Sequence, residues 1–205
     1  MVKVDIKKEL KNFYNPSTNE FKIVDVPEMN FLMIDGNGDP NTAQEYKDAV
    51  EALYSVAYTL KFMVKRSESK INYGVMPLEG LWWVDDMAQF SEDNKDEWKW
   101  TAMIMQPKYV TRDMVDLAIK KATKKKDLPS LSLLKLTSFH EGLAAQIMYL
   151  GPYSGEGPTI KRLHEYIEEN GYVLSGKHHE IYLGDPRRSA PEKLKTIIRQ
   201  PMESR

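Results

Sequence analysis

The stretch FLMIDGNGDP, at residues 31–40, decides the fold because AAQIMYLGPYSG, at residues 144–155, follows the same plan. Each is an apolar run that ends in a loop of Gly and Pro, and a helical pattern follows each. Two further strand patterns come after each helix: LEGLWWVDD and WTAMIMQP in the first half, HEIYLGDP and KTIIRQP in the second. Both halves therefore read strand, loop, helix, strand, turn, strand, and both final strands close on Gln-Pro, which predicts an internal duplication.

This duplication predicts one pseudo-symmetric domain over residues 1–205. Repeat one spans about 21–107, a linker helix about 108–126, and repeat two about 135–201. Because a seam between two half-units is a natural place for a cavity, we expect a ligand pocket there.

Local sequence signals place the helix ends. Thr42 followed by Glu45 matches a capping box, which predicts that a helix begins at Thr42 and runs to about Val64. Thr111 is the expected N-cap of the linker helix. In the second repeat a helix over 159–169 should stop at Gly171, since glycine adopts the left-handed conformation that ends many helices.

The overall composition excludes several classes of protein. A net charge of −1 provides no bulk attraction to nucleic acid or to anionic membranes, so we expect neither as a partner. The absence of cysteine excludes disulfides, thiolate metal sites and a cysteine nucleophile, and it fits a cytoplasmic protein. The charged N-terminus MVKVDIKKELKNFY is not a signal peptide, and no apolar stretch approaches the roughly 20 residues needed to span a bilayer. The expected oligomeric state is monomer or homodimer.

Glu180 is the main candidate for chemistry. Strand alternation places Glu180 and Tyr182 on one face of their strand, and His179 and Ile181 on the other. A carboxylate inside a strand either faces water or is a charge that is buried for a functional reason. In the second case its pKa would rise, and it could bind a cation, act as a general base or stabilise developing charge, with Tyr182 orienting it or donating a proton.

A concentration of Trp and Met between Met76 and Met105 has two readings. It is either aromatic core or the wall of a pocket for a flat or cationic ligand. Trp82 and Trp83 are adjacent, so a straight strand points them to opposite faces and either one could line the pocket. Weaker pocket candidates are Tyr73, Trp98, Trp100, Met103 and the acidic Glu79.

No metal or cofactor site follows from the motifs. His178 and His179 are adjacent on a strand and face opposite ways, and no spaced ligands complete a coordination sphere around them. The Gly-rich loops match neither nucleotide-binding pattern, and no Ser–His–Asp order or nucleophile elbow occurs.

Several motifs together resemble the stand-alone GyrI-like (gyrase-inhibitor-like) small-molecule-binding proteins: EGLWW, W-x-W-T-A-M-I-x-Q-P-x-x-V, HHEIYLGDPRR and PEKLKTIIRQP. The resemblance covers nearly the whole chain from about Phe21. It implies an α+β fold of two strand–helix–strand–strand modules with pseudo-two-fold symmetry. The antiparallel sheets would carry helices on one side, and a ligand groove would lie between the modules.

The same resemblance suggests what the groove binds. Related domains are the effector-binding parts of multidrug-responsive transcription regulators, where a buried glutamate among aromatics recognises lipophilic cations, and Glu180 matches that carboxylate position. The expected partner is therefore a small planar or lipophilic ligand, cations included. The segment 3–22 is too short for a helix-turn-helix domain, so we do not expect a complete transcription factor.

Some stand-alone GyrI-like proteins are reported to hydrolyse cyclopropane-bearing, DNA-alkylating natural products, which implies a ring-opening hydrolase here. Glu180 would then activate water or stabilise positive charge, and Tyr182 would assist proton transfer. Trp82 or Trp83, with Trp100, would stack on the substrate.

Two alternatives remain open. One is a module that sequesters lipophilic or cationic drugs without turnover. The other is a protein–protein inhibitor of a DNA enzyme, which would need an acidic, DNA-mimicking face, and a net charge of −1 argues against it.

Overall fold

The computed structural model describes residues 2–90 and 92–205, and the chain divides into two compact units. The first unit comprises Met1–Glu9, Met29–Leu78 and Trp82–Phe139, and the second comprises Leu10–Glu28, Glu79–Leu81 and His140–Arg205. The units are interleaved along the chain, because two stretches of the first half, Leu10–Glu28 and Glu79–Leu81, count with the second unit. The expectation of a single domain stays a prediction.

The first unit contains an antiparallel sheet, a separate parallel pair of strands (β1 and β4) and two long helices. Its strands are β1 (Val2–Val4), β3 (Met29–Asn37), β4 (Ile71–Tyr73), β5 (Leu78–Trp83), β6 (Lys99–Gln106) and β7 (Lys135–Phe139), and its helices are α1 (Ile6–Glu9), α3 (Gln44–Arg66) and α4 (Arg112–Thr123). Within β5, Glu79–Leu81 count with the second unit. The strand order is β5-β6-β3-β7, and β3 is antiparallel to both of its neighbours. Short 3₁₀ turns lie at Met87–Gln89, Glu92–Glu97 and Pro129–Leu133.

Helix α3 forms because its apolar residues recur every three or four positions. Its buried face consists of Ala49, Ala52, Leu53, Val56, Ala57, Leu60 and Val64. This face packs against β3 and β6, so it supplies much of the apolar burial that stabilises the first unit.

The second unit is smaller and also combines an antiparallel sheet with helices. It contains α2 (Lys11–Tyr14), β2 (Lys22–Val26), β8 (Gly142–Leu150), α5 (Gly157–Glu169), β9 (Tyr172–Leu174), β10 (His178–Tyr182) and β11 (Lys195–Ser204). The strand order is β2-β8-β11-β10, with β9 also paired to β11. The core joins α5 to the sheet through Ala145, Ile147, Leu163, Ile167, Ile198 and Met202.

The two units have matching strand orders. In the first, the hairpin strands and the strand before the helix lie in the order β5-β6-β3, and in the second they lie in the order β10-β11-β8. The predicted mixed α+β class with antiparallel sheets is therefore confirmed. The duplication stays a prediction, which this common order supports.

Two of the predicted helix boundaries are confirmed and one is wrong. The Thr111 hydroxyl accepts a hydrogen bond from the Met114 backbone N at 3.3 Å, and Gly171 has the predicted left-handed conformation, with φ of +84°. Thr42, however, is not an N-cap: α3 begins at Gln44 after Ala43, with no side-chain cap. The Thr42 amide instead donates to the carbonyl of Asp39 in a turn, which leaves Thr42 one residue too early to cap the helix.

The last strand is longer than predicted. The sequence suggests that it closes at Gln200-Pro201, but β11 continues to Ser204. Its final residues pair with β9, beginning at Met202 opposite Leu174. Pro201 lies inside this strand, where it is paired with Ala144 of β8.

Candidate functional site

Strand β10 presents two different faces. Glu180 is paired with Ile198 of β11, and His179 is paired with Arg199. Because directly paired residues of antiparallel strands project to the same side, Glu180 shares the face on which Ile198 packs against α5. His179 and Arg199 share the opposite face.

On the helix-bearing face, Glu180 is held by its neighbours two positions away. The Tyr182 hydroxyl donates to Glu180 Oε2 at 2.7 Å, and His178 Nε2 lies 3.1 Å from Glu180 Oε1. The side chain of Glu180 is 14% exposed, whereas that of His178 is 3% exposed. Glu180 is thus a carboxylate that is oriented from within its own strand and still reaches solvent.

An exposed aromatic ring stands beside this group. The ring of Tyr153 meets that of Tyr182 edge to face, with centroids 5.4 Å apart. Tyr153 lies in the loop GPYSG, which folds around Tyr149: a Cβ on Gly151 or Gly155 would come within 2.6 or 2.4 Å of the Tyr149 hydroxyl oxygen. Gly151 also has a φ of +143°, a backbone conformation that favours glycine, and the loop places Tyr153 next to Tyr182.

The opposite face of β10 carries a closed network of charges. His179 contacts one carboxylate with each ring nitrogen: Nδ1 lies 2.7 Å from Glu141 Oε1, and Nε2 lies 3.0 Å from Glu79 Oε2. The Tyr14 hydroxyl donates to Glu79 Oε1 at 2.7 Å. Glu79 is fully buried, at 0% exposure, so these contacts replace water completely.

Arg199 completes the network. It donates from Nη1 to Glu141 Oε2 at 2.8 Å, from Nε to Gln146 Oε1 at 2.9 Å, and from Nη2 to the Phe13 carbonyl at 2.7 Å. Two buried cations thus face two buried carboxylates, and each charge has hydrogen-bond partners, as buried ions require.

The charges of this network shift one another's pKa values. Burial alone would lower the pKa of His179, but the charge of Glu141 and the hydrogen bonds to Glu141 and Glu79 together outweigh burial and raise that pKa to about 9. Burial would raise the pKa of Glu141, yet His179 and Arg199 lower it to about 2. Burial and the charge of Glu79 raise the pKa of Tyr14 well above its usual value. His179 is therefore protonated, Glu141 is ionised and Tyr14 keeps its proton at neutral pH.

An aromatic cluster occupies the first unit. Trp82 lies 5.6 Å from both Tyr46 and Trp98, and Tyr46 meets Trp100 edge to face at 5.0 Å, all between ring centroids. Trp100 lies flat on Gly36, where a Cβ would come within 2.3 Å of the indole ring. Trp82 and Trp100 are buried, so in this structure they serve as core.

The remaining predicted pocket residues lie apart from one another. Trp83 is half-buried and lines an acidic depression of about 650 Å³ in the first unit. Tyr73 is buried edge to face against Tyr109, and Met103 is buried in the core. Their roles in ligand binding stay predictions.

Sequence reasoning proposed Glu180, Tyr182 and Glu79 as site residues, and it did not single out Tyr14, Glu141 or Arg199, which the structure places in the buried network. These three come from separated segments, so no local pattern connects them. The one available signal was a charged residue inside the apolar run of β11. Glu79 was chosen as a pocket residue, and the structure places it in the buried network.

Over 2–90 and 92–205, no group of three His, Asp or Glu side chains is placed to hold a metal ion. Across the same ranges, no helix has the length and apolar character needed to cross a bilayer.

Comparison with known families gives one match that covers nearly the whole chain. Residues 19–202 match the model of the GyrI-like small-molecule-binding domain. None of the curated proteins compared with the chain is similar enough to count as a match.

Solved structures provide closer relatives. An uncharacterised conserved protein from Listeria innocua is 43% identical, with a TM-score of 0.89 over 98% of this chain and 100% of its own. A hydrolase from Listeria innocua is 42% identical, with a TM-score of 0.84 over the same shares of the two chains. The EcmrR C-terminal domain is 11% identical, with a TM-score of 0.57 over 91% of this chain and 98% of its own, which is a likeness of fold alone.

Proposed function

The chain belongs to the GyrI-like small-molecule-binding family, and we propose that it hydrolyses flat, lipophilic electrophiles at Glu180 by opening a cyclopropane ring. The observation that carries this proposal is the geometry at β10. Glu180 is oriented by His178 and Tyr182 and reaches solvent, and the ring of Tyr182 meets the exposed ring of Tyr153 edge to face.

The reaction adds one water molecule to the substrate. The water oxygen forms a bond to a ring carbon, and a ring C–C bond breaks. Its electron pair passes to the electron-accepting group conjugated with the ring, which then takes a proton. In this proposal Glu180 removes the proton from the attacking water, and Tyr182 supplies a proton to the acceptor group. The proton on Glu180 then passes to the Tyr182 oxygen, 2.7 Å away, which restores both groups. General acid–base assistance of this kind contributes typically about 10²–10⁴-fold.

Aromatic contacts would hold the flat substrate. Trp82 and Trp100 are covered by other rings in this structure, so we assign the first substrate contacts to Tyr153 and Tyr182. The family resemblance also implies that the substrate stacks on Trp82 or Trp83 with Trp100, and this stacking stays a prediction. The 42% identical protein from Listeria innocua that is named a hydrolase supports an enzymatic role.

A second candidate function is binding without turnover. One observation favours it: both oxygens of Glu180 already accept hydrogen bonds, from Tyr182 and His178, so a water nucleophile would have to displace one of these donors. In that case the protein would sequester lipophilic compounds.

The test is to incubate the protein with a cyclopropane-containing, DNA-alkylating compound and to follow the gain of one water by mass spectrometry. We expect turnover that falls by about 10²-fold or more in Glu180→Gln. Glu165→Gln is the matched control, because Glu165 lies on the exposed side of α5, where its only described ion pair is with Lys161 at 3.9 Å. Unchanged turnover in Glu180→Gln would refute the assignment, and binding without any mass change would favour sequestration.

A further inference from the structure

The outward side of α3 carries a stripe of aromatic rings in the second half of the helix. Tyr54, Tyr58 and Phe62 recur every four residues, so they lie in one row. Tyr58 is 48% exposed and Phe62 is 44% exposed, whereas the opposite side of α3 is buried against β3 and β6. The stripe is therefore an apolar strip on the side of α3 that faces away from the sheet.

Positive charges lie over these rings. The ammonium nitrogen of Lys61 is 6.0 Å from the centroid of the Tyr58 ring and 5.9 Å from that of Phe62. The guanidinium carbon of Arg66 is 6.0 Å from the Phe62 centroid. The stripe thus combines apolar area with cations held at the ring faces.

The neighbouring segments add to this positive charge. Lys65 lies one helical turn after Lys61, and no acidic residue occurs between positions 52 and 67. Helix α4 packs against α3, and Lys126, just after α4, contacts Glu51 on α3, which brings the lysine-rich end of α4 to the same helix. Four further exposed lysines lie in that end of α4: Lys120, Lys121, Lys124 and Lys125.

We propose that this part of α3 binds an acidic amphipathic helix of a partner protein. The basic aromatic surface consists of Tyr54, Tyr58, Lys61, Phe62, Lys65 and Arg66. Apolar side chains of the partner would pack on the rings, and its carboxylates would pair with the three cations. A purely apolar partner would remove water from the cations without replacing it, whereas an acidic partner supplies carboxylates in place of that water.

The arrangement of rings and charges disfavours two other occupants. Single-stranded nucleic acid stacks its bases on open ring faces, but Lys61 and Arg66 lie over the faces of Tyr58 and Phe62. A helix that lies in a membrane interface separates its apolar face from its charged face, but here rings and cations share one side. A protein partner that brings both apolar and acidic side chains fits this mixture.

Two fluorescein-labelled peptides test the proposal with the full chain. One is a helical peptide of Glu, Leu and Ala whose leucines form one face, and the other has Lys in place of every Glu. Fluorescence anisotropy measures both affinities at low and at high salt. We expect the acidic peptide to bind at least about tenfold more tightly at low salt and to weaken as salt screens the charges.

Variants of α3 then locate the binding surface. Tyr58→Ser combined with Phe62→Ser removes two rings and should weaken the acidic peptide by about tenfold or more at both salt concentrations. Lys61→Glu combined with Lys65→Glu should reverse the preference, so that the lysine peptide binds more tightly. Lys47→Glu is the matched control, because Lys47 is exposed near the beginning of the same helix, and it should keep the original preference. Circular dichroism checks that each variant is folded.

Three results would overturn the proposal. The first is equal affinity for the two peptides, and the second is the absence of measurable binding of the acidic peptide. The third is binding of phosphatidylserine vesicles or of an oligo(dT) strand that is lost in the Tyr58→Ser, Phe62→Ser variant while the acidic peptide does not bind. None of them decides the proposed hydrolysis, which the turnover of a cyclopropane substrate and its loss in Glu180→Gln test separately.

Discussion

On each face of β10 a carboxylate is bonded to a histidine and a tyrosine, but one carboxylate reaches solvent and the other is fully buried. On the helix-bearing face, Glu180 is bonded to a histidine and a tyrosine of its own strand and keeps contact with solvent. On the other face, Glu79 is also bonded to a histidine and a tyrosine, but these are His179 and Tyr14 and the carboxylate is fully buried.

The difference lies in where the partners come from. Partners two residues away on one strand can orient a carboxylate, but they leave its outer side open for a ligand. Partners from distant segments surround a carboxylate completely and join those segments, as Arg199 does when it bonds both Glu141 and the Phe13 carbonyl. We therefore expect changes to the buried face to alter stability and changes to the open face to alter function.

The largest effect should come from removing a charge in the buried network. Arg199→Met leaves Glu141 buried without its guanidinium partner and should lower the free energy of unfolding by about 3–5 kcal/mol. Urea unfolding followed by circular dichroism measures this change. An unfolding midpoint equal to that of the unmodified protein would mean that the network contributes no stability.

The pH dependence of stability should follow the same network. The pKa of His179 is raised from 6.5 to about 9, so its contribution is fully present below pH 6.5 and is lost as the pH rises through about 9. The pKa of Glu141 is lowered from 4.5 to about 2, so its contribution is present above pH 4.5 and is lost as the pH falls through about 2. Urea midpoints measured across this range should fall at both ends, and a midpoint that stays constant from pH 6.5 to 10 would contradict the assignment to His179.

A matched pair of Tyr→Phe variants compares the two faces directly. Tyr14→Phe removes the hydroxyl that donates to buried Glu79 and should cost about 1.5–3 kcal/mol, because hydrogen bonds to charged groups are strong. Tyr182→Phe removes the equivalent donor to the more accessible Glu180 and should cost no more than about 1 kcal/mol. Thermal or urea unfolding distinguishes the two, and equal losses would remove the contrast between the faces.

The smallest effect on stability should come from Glu180→Gln. Glutamine keeps the size of the side chain and one acceptor oxygen, and the site reaches solvent, so we expect a change within about 1 kcal/mol. The same urea titration measures it beside the turnover assay. A loss as large as that of Arg199→Met would make Glu180 a structural residue and weaken its proposed role in catalysis.

Sequence reasoning succeeded where neighbours along the chain decide the outcome. The apolar face of α3 follows from residues three and four apart, and the common face of Glu180 and Tyr182 follows from strand alternation, because both periods are properties of the backbone. It failed at Thr42, where a turn that starts at Asp39 takes the residue out of the capping position. It also failed at the end of β11, which is extended by pairing with β9.

By itself, the sequence determined the family and the mixed α+β class, because these depend on motifs and on regular spacing, and it predicted Glu180 as the carboxylate for chemistry. Only the tertiary structure decided that Glu79 and His179 belong to a buried network, and that Trp82 and Trp100 lie under other rings. Burial and ion pairing depend on which distant segments meet. Tyr14, Glu79, Glu141 and Arg199 are far apart in the chain, and only folding brings their charges and hydroxyl within hydrogen-bond distance.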